Sequence, residues 1–269
     1  MSVPTSGRVL TAEQVTAVAD ELAEAARTGG TIPLISSRFP GMTVEDAYAI
    51  QHVWQERREA TGETVVGRKV GLTSRAMQEA TGIDEPDYGV IFADQVIGSG
   101  EVVEHARFSN VRVEVELAFQ LGEDLAGPDV RAADVLAATA VVAPALEILD
   151  AHVELAGRTI ADTISDNAAL GAMVLGDARI APGARDLTWI GAKLHVNDEV
   201  VESGVSGAVL GDPAASAAWL VNKLAAHGEG LTAGQWVLAG SFTRPVWVSP
   251  GDRLRVEYQD LGAVEVRFR

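Results

Sequence analysis

The stretch Val111–Phe119 reads V-R-V-E-V-E-L-A-F, with apolar and polar residues alternating one by one through Leu117. A period of two predicts a β-strand with two unlike faces. Val113, Val115, Leu117 and Phe119 fall on one face, and Arg112, Glu114 and Glu116 on the other. Upstream the period is helical. Val15, Val18, Leu22 and Ala25 recur behind a Thr11/Gln14 capping box and ahead of Gly29-Gly30. A second helix is predicted from near Thr43, with Ala47, Ile50, Val53 and Trp54 as its buried stripe and Gly62 as its cap. Residues 1–62 therefore read as a small N-terminal helical arm, and 63–269 as a β-rich main domain.

Strands dominate after Thr64. T-V-V-G-R-K-V-G-L is the first, and a short one ends in Y-G-V-I-F. Val141–Leu149 and Ala168–Leu175 are apolar runs, and Thr159–Ile164 reads as strand-like. Trp189–Val196 and Val200–Ser203 flank Asn197-Asp198, a hairpin turn signal. Gln235–Ala239, Val246–Val248, Arg253–Tyr258 and Ala263–Phe268 complete the set. Three helices interrupt: a short one over Arg75–Ala80 capped by Thr73 or Ser74, Val130–Ala138, and Pro213–Ala226 behind Asp212. Strands joined by turns rather than by helices predict an α/β fold of the α+β type with a mainly antiparallel core.

Composition narrows the function classes. The 269 residues are 47% hydrophobic, enough for a sizeable core. A net charge of −17 argues against nucleic acid or an anionic membrane as partner. The absence of cysteine excludes disulfides, thiolate catalysis, zinc–thiolate sites and iron–sulfur clusters. No apolar run reaches membrane-spanning length and no secretory signal opens the chain, so a cytoplasmic location is expected.

Glu114 and Glu116 lie on one strand face roughly 6.5–7 Å apart. Alone they read first as the solvated face of an edge strand, and only second as oxygen donors for a hard divalent ion. Glu147 changes the picture. It stands in V-V-A-P-A-L-E-I-L-D, where an unpaired carboxylate is costly to bury. Either the chain exposes it at a bulge or strand end, or it joins Glu114 and Glu116 in a three-carboxylate metal site. Lys69 is a lone cation among Val65, Val66, Val70 and Leu72. A desolvated lysine can carry a lowered pKa and move protons, or pair with a substrate carboxylate; the alternative is a lysine that snorkels to water. Asp84, Glu85 and Asp87 cluster in a turn. The loop Gly240-Ser241-Phe242-Thr243-Arg244-Pro245 offers hydroxyls, amides and a guanidinium for a carboxylate. The five histidines are scattered, and no G-x-G-x-x-G follows a strand.

Six ordered stretches, G-R-K-V-G-L-T-S-R-A-M-Q, E-P-D-Y-G, V-R-V-E-V-E-L-A-F, P-A-L-E-I-L-D, D-T-I-S-D-N-A-A and L-A-G-S-F-T-R-P-V, resemble the hydratase and decarboxylase branch of the fumarylacetoacetate hydrolase superfamily. The resemblance implies a Mg²⁺ or Mn²⁺ site on Glu114, Glu116 and Glu147, with Lys69 and Asp87 as catalytic residues. Leu72, Asn167, Ser241 and Arg244 are the candidate substrate-binding residues. It implies metal-dependent addition of water to a 2-hydroxy-2,4-dienoate or its 2-oxo-enoate tautomer in aromatic meta-cleavage catabolism. Decarboxylation of a vinylogous 2-oxo diacid is the alternative reaction, and a non-catalytic subunit that stabilises a partner enzyme is the alternative class. A small 2-oxo acid, further copies of the same chain and an associated pathway enzyme are the expected partners.

Overall fold

The structure, a computed structural model, describes residues 7–74, 78 and 85–269. Asp84 and all of the helix expected over Arg75–Ala80 except Gln78 lie outside the described residues.

Six helices are present among the described residues: α1 (Ala12–Thr28), α2 (Ile35–Arg38), α3 (Val44–Ala60), α4 (Ala132–Ala138), α5 (Ile160–Ser165) and α6 (Pro213–Ala225). The strands, in chain order, are β1 (Val65–Gly71), β2 (Asp87–Phe92), β3 (Val96–Gly98), β4 (Val102–Val103), β5 (Arg112–Leu121) and β6 (Leu125–Ala126). They continue with β7 (Thr139–Leu149), β8 (Leu170–Leu175), β9 (Gly191–Val196), β10 (Glu199–Val205), β11 (Gly230–Leu231) and β12 (Trp236–Leu238). β13 (Val246–Trp247), β14 (Arg253–Tyr258) and β15 (Gly262–Phe268) close the chain.

An eight-stranded sheet runs β2-β1-β12-β5-β7-β8-β3, with β13 also paired to β5. A five-stranded sheet runs β10-β9-β14-β15-β4, and β11 and β6 form a small ribbon. Three of the pairings, β1/β12, β3/β8 and β4/β15, are parallel and the rest antiparallel, as the turn-linked pattern predicts.

The alternation in β5 decides which face meets what. Val113, Val115, Leu117 and Phe119 are buried in the main apolar cluster, together with Leu254, Val256, Val264 and Val266 from the five-stranded sheet. Each such side chain contributes about 1.5–3 kcal/mol by leaving water. The opposite face of the same strand carries Arg112, Glu114 and Glu116. The two outcomes are one fact, because side chains alternate strictly across a strand.

The helical arm forms as its caps predict. Thr11 and Gln14 cap each other, and Gly29 ends α1 in the left-handed region at φ 69°. Thr43 and Asp46 cap α3 in the same way, and Gly62 follows its C-cap at φ 93°. Val15, Val18 and Leu22 pack on Ile35, Ile50 and Val153, so the arm's apolar cluster includes a residue from the main domain. Gln51 Nε2 donates to the carbonyls of Tyr88 and Ile164, tying α3 to β2 and α5.

One element differs in kind from its expectation. Thr159–Ile164 is not a strand: Thr159 caps helix α5, its hydroxyl accepting from Asp162 N–H while Asp162 accepts from Thr159 N–H at 2.9 Å. That reciprocal cap fixes the first turn of a segment whose apolar residues alone favour neither period. Ser36 then holds Asp162 from outside, its hydroxyl donating at 2.6 Å.

His152 ties three segments together at the open end of β7. Its ring nitrogens lie 3.0 Å from Asp150 Oδ2 and 2.9 Å from Asp166 Oδ1. Asp150 Oδ1 accepts the N–H groups of Ser109 and Asn110, just ahead of β5. Burial alone would push the imidazolium down, but the two carboxylates outweigh it and lift His152 to about 10. A folded value above the unfolded one of about 6.5 means that this stabilisation is complete below pH 6.5 and is lost as pH rises toward 10. The difference in unfolding free energy between the native chain and His152→Ala should therefore shrink across that window, by up to about 1.4 kcal/mol per pH unit. Urea unfolding at pH 6, 8 and 10 measures it; a pH-independent difference would show that the ring is held neutral.

Candidate metal centre and active site

The pairing of β5 with β7 sets Glu114 directly opposite Glu147, and Glu116 opposite Ala145. Three carboxylates thus meet on one face of two adjacent strands. One oxygen from each of Glu114, Glu116 and Glu147 lies within 4.8 Å of the others. Glu116 and Glu147 are fully buried. Gly240 N–H donates to Glu116 Oε2 at 2.8 Å, which aims the other oxygen at the cluster. Gly240 must be glycine: its φ is +111° and a Cβ there would meet Thr73 Oγ1 at 2.2 Å.

Lys69 enters from β1. Its Nζ lies 3.2 Å from Glu147 Oε1, and both side chains are buried. Asp87, at the start of β2, pairs with Gly71 across the β1/β2 ladder. The absence of a side chain at Gly71 is what lets Asp87 and Lys69 approach. A Cβ there would lie 2.2 Å from Asp87 Oδ1 and 3.0 Å from Lys69 Nζ.

The fit to a divalent cation rests on unspent oxygens. Glu116 Oε1, both oxygens of Glu147 and both of Asp87 are buried without a hydrogen-bond partner in good geometry. Buried polar atoms are nearly always satisfied, so a cluster of orphaned carboxylate oxygens calls for a positive partner beyond Lys69. Oxygen-only donors, with no histidine or sulfur among them, suit Mg²⁺ or Mn²⁺.

The electrostatics agree. Burial, and then the charge of Glu147, push Glu114 up to about 8. Glu116 is raised well above the usual carboxylate range by burial and by both neighbours. Burial raises Glu147 and Asp87 as well, against the pull of Lys69. Lys69 itself moves the other way from the sequence expectation. Burial would lower it, but Glu147, Asp87, Glu114 and Glu116 together outweigh burial and raise it. In the metal-free protein Lys69 is a fixed cation, not a neutral amine.

A cavity of about 620 Å³, counting its open mouth, leads from these residues to the surface. Leu72 and Ser241 line it, as do Ala168 and Ala169. Leu72 holds a left-handed φ of 54°, unusual for a bulky residue and common where backbone is strained around a site. The Ser241 hydroxyl donates to Thr243 O at 2.9 Å within its own loop.

Two candidate substrate residues are placed elsewhere. Asn167 spends its side chain on β2: Val90 N–H donates to its Oδ1 at 2.8 Å, and its Nδ2 donates to Val90 O at 3.0 Å. It positions the cavity wall and does not line it. Arg244 points out of the loop, largely exposed, and pairs with Glu202 at 2.7 Å. The guanidiniums that do line the cavity are Arg112 and Arg158. Arg112 shares the strand face of Glu114 and Glu116. Arg158 lies in the turn ahead of α5 and no spacing marked it; the helix cap at Thr159 is the signal that fixes its place.

With this geometry in hand, the comparisons are specific. Residues 60–269 match the fumarylacetoacetate (FAA) hydrolase C-terminal family model. The chain is 43% identical over 259 residues to a 2-oxo-hept-4-ene-1,7-dioate hydratase of Escherichia coli, covering 94% of this chain and 97% of that one. It is 37% identical to a 2-keto-4-pentenoate hydratase of Paraburkholderia xenovorans (strain LB400), covering 96% of both. The structure of a 4-oxalocrotonate decarboxylase from Pseudomonas putida G7, complexed with magnesium and adipate, superposes with a TM-score of 0.95 at 36% identity, over 98% of this chain and all of that one. A match across most of the chain, carried by the same strands that gather the three glutamates, shows that this protein belongs to the fumarylacetoacetate hydrolase family.

Proposed function

We propose that the protein is a metal-dependent hydratase of a 2-oxo-4-enoate or its 2-hydroxy-2,4-dienoate tautomer, with 2-oxohept-4-ene-1,7-dioate as its substrate and a 4-hydroxy-2-oxo acid as product. The observation that carries this reading is the set of Glu114, Glu116 and Glu147 with orphaned oxygens beside a buried, charged Lys69. The hydratase at 43% identity supplies the substrate.

Glu114, Glu116 and Glu147 would hold Mg²⁺ or Mn²⁺. Bound there, the ion supplies Lewis-acid stabilisation of negative charge at the substrate's carboxylate and C2 oxygen. Lys69 brings a second, fixed positive charge to the same end, where enolate charge develops. Asp87 sits beside Lys69, and burial raises its affinity for a proton, which places it to exchange one with the carbon chain during ketonisation. The dienol tautomer takes a proton at C5 as its C2 hydroxyl gives one up, which moves the double bond to C3–C4 in conjugation with the C2 carbonyl; water then adds at C4, and the enolate so formed takes its proton at C3 to give the 4-hydroxy-2-oxo acid. The left-handed backbone at Leu72 and the Ala168–Ala169 wall close the apolar side of the cavity over the carbon chain.

A second reading keeps the site and changes the bond that breaks. The same charge arrangement stabilises the enolate left when CO₂ departs a vinylogous 2-oxo diacid, and the 0.95 TM-score to a decarboxylase supports it. Incubating the Mg²⁺-loaded protein with 2-oxohept-4-ene-1,7-dioate and with 4-oxalocrotonate in ¹⁸O-water separates the two. Label at C4 without CO₂ release is the expected result; CO₂ from 4-oxalocrotonate at a higher kcat/KM would assign the decarboxylase. Turnover of neither would leave a non-catalytic subunit, a role that has no use for so costly a buried charge cluster. A homo-oligomer, association with a pathway enzyme and a cytoplasmic location belong to this reading. The exposed Trp189, Trp247, Val200 and Val201 support the first, and the absence among the described residues of any helix long and apolar enough to cross a membrane is compatible with the last.

A further inference from the structure

We propose that Arg112 and Arg158 form a clamp for the far carboxylate of the substrate, so that the cavity selects 2-oxo diacids over 2-oxo monoacids. The inference deepens the hydratase reading and rests on it for the orientation of the near end.

Three observations carry it. Both arginines line the cavity that holds Lys69, Asp87 and Glu114. Arg112 Nε and Nη2 and Arg158 Nη1 are buried without a hydrogen-bond partner. Neither guanidinium has a carboxylate within ion-pairing distance among the described residues, although most of the other described arginines do. Orphaned guanidinium N–H groups in a cavity wall are a donor set waiting for an acceptor, and a carboxylate matches the guanidinium fork.

The layout gives the direction. On β5, Glu116 is the deepest of the three polar residues and fully buried, Glu114 comes next, and Arg112 follows two residues nearer the mouth, about 6.5–7 Å farther along the strand. The three glutamates thus lie at the deep end beside Lys69, and Arg112 lies at the outer end. A 2-oxo acid whose chelating end lies against the glutamates directs its remaining carbon chain toward the arginines. Arg112 stacks on Trp247, its guanidinium 5.3 Å from the ring centroid, which fixes its plane. Arg112 and Arg158 carry like charges on the wall of one cavity. Asp150 is already held by His152, Ser109 and Asn110. An anion between the two guanidiniums relieves their repulsion; a methyl or vinyl terminus does not. Asp87 lines the same cavity as the two arginines.

The test uses the full chain loaded with Mn²⁺ and two probes, 2-oxoadipate and 2-oxohexanoate, which differ in one terminal carboxylate. Calorimetry is expected to show the diacid bound about 10- to 100-fold more tightly, the weight of a charge-assisted hydrogen-bonded pair. Arg158→Gln should erase most of that ratio while leaving Mn²⁺ and 2-oxohexanoate affinities within about twofold of the native chain. Arg158→Lys should restore part of it, and Arg112→Gln should erase it in the same way. Equal affinity of the native chain for both probes, or a loss in Arg158→Gln that falls equally on both, overturns the clamp. The Mn²⁺ titration reads the hydratase site separately: intact Mn²⁺ binding with no diacid preference removes the clamp alone, and absent Mn²⁺ binding removes both.

Discussion

Replacing Glu114 and Glu116 together with glutamine is expected to drop hydratase turnover below about a thousandth of the native rate, because a metal's Lewis-acid stabilisation is worth several kcal/mol. The same double variant should be more stable than the native chain in metal-free buffer at pH 8. The reason is linkage. Glu114 binds its proton up to about pH 8 in the folded chain, against about 4.5 unfolded. Between those values the native state holds more protons, so metal-free stability falls as pH rises. Glutamine removes that penalty while its carbonyl oxygen still accepts from Gly240 N–H. Melting curves from pH 5 to 8, with and without Mg²⁺, read both halves. The metal-free native chain should lose stability with pH more steeply than the Mg²⁺-loaded chain or the variant, in both of which the His152 contribution remains. Metal-dependent turnover surviving in the variant would remove the site assignment, and a flat metal-free profile would remove the electrostatic account.

Lys69→Met carries the second large effect. A buried ion pair that loses one partner costs about 3–5 kcal/mol, and Glu147 is 3.2 Å from Lys69, its one ion-pair partner among the described residues. Urea unfolding of the metal-free variant should show a loss of that size, and Mg²⁺ should restore much of it by replacing the missing positive charge. Turnover should stay low even with saturating Mg²⁺, by about 10²–10⁴-fold, because a placed acid or charge beside the developing enolate is gone. An effect confined to KM would assign Lys69 to substrate binding alone.

What was legible in the sequence follows from what is local. The period-two run of β5 announces both its core face and its acidic face, and Glu147 stands out because its neighbours are apolar on both sides. Lys69 stands out for the same reason. Caps and the Asn197-Asp198 turn are decided by residues two or three apart, and both turn residues adopt the left-handed φ that the hairpin needs. The placements that the local sequence does not show are mostly long-range. Arg244 finds Glu202, 42 residues away, and Asn167 finds Val90, 77 residues away; neither partner is visible from the motif that contains the residue. Thr159–Ile164 failed for a smaller reason: its Thr159/Asp162 cap was legible but is shorter than the apolar run behind it. The direction of the Lys69 shift needed the three-dimensional count of carboxylates around it, since burial and neighbouring charge act oppositely on a lysine.

The pairing of Glu114 with Glu147 across β5 and β7 has a meaning for folding as well as for chemistry. A slip of one residue between these strands would send Val113 and Val115 into the cavity and Glu114 and Glu116 into the apolar cluster. The most expensive misfolded register of the central sheet is thus also the one unable to bind an ion. Metal stoichiometry after refolding therefore counts molecules with correctly aligned strands, and divalent cation in the refolding buffer should enrich that population by mass action.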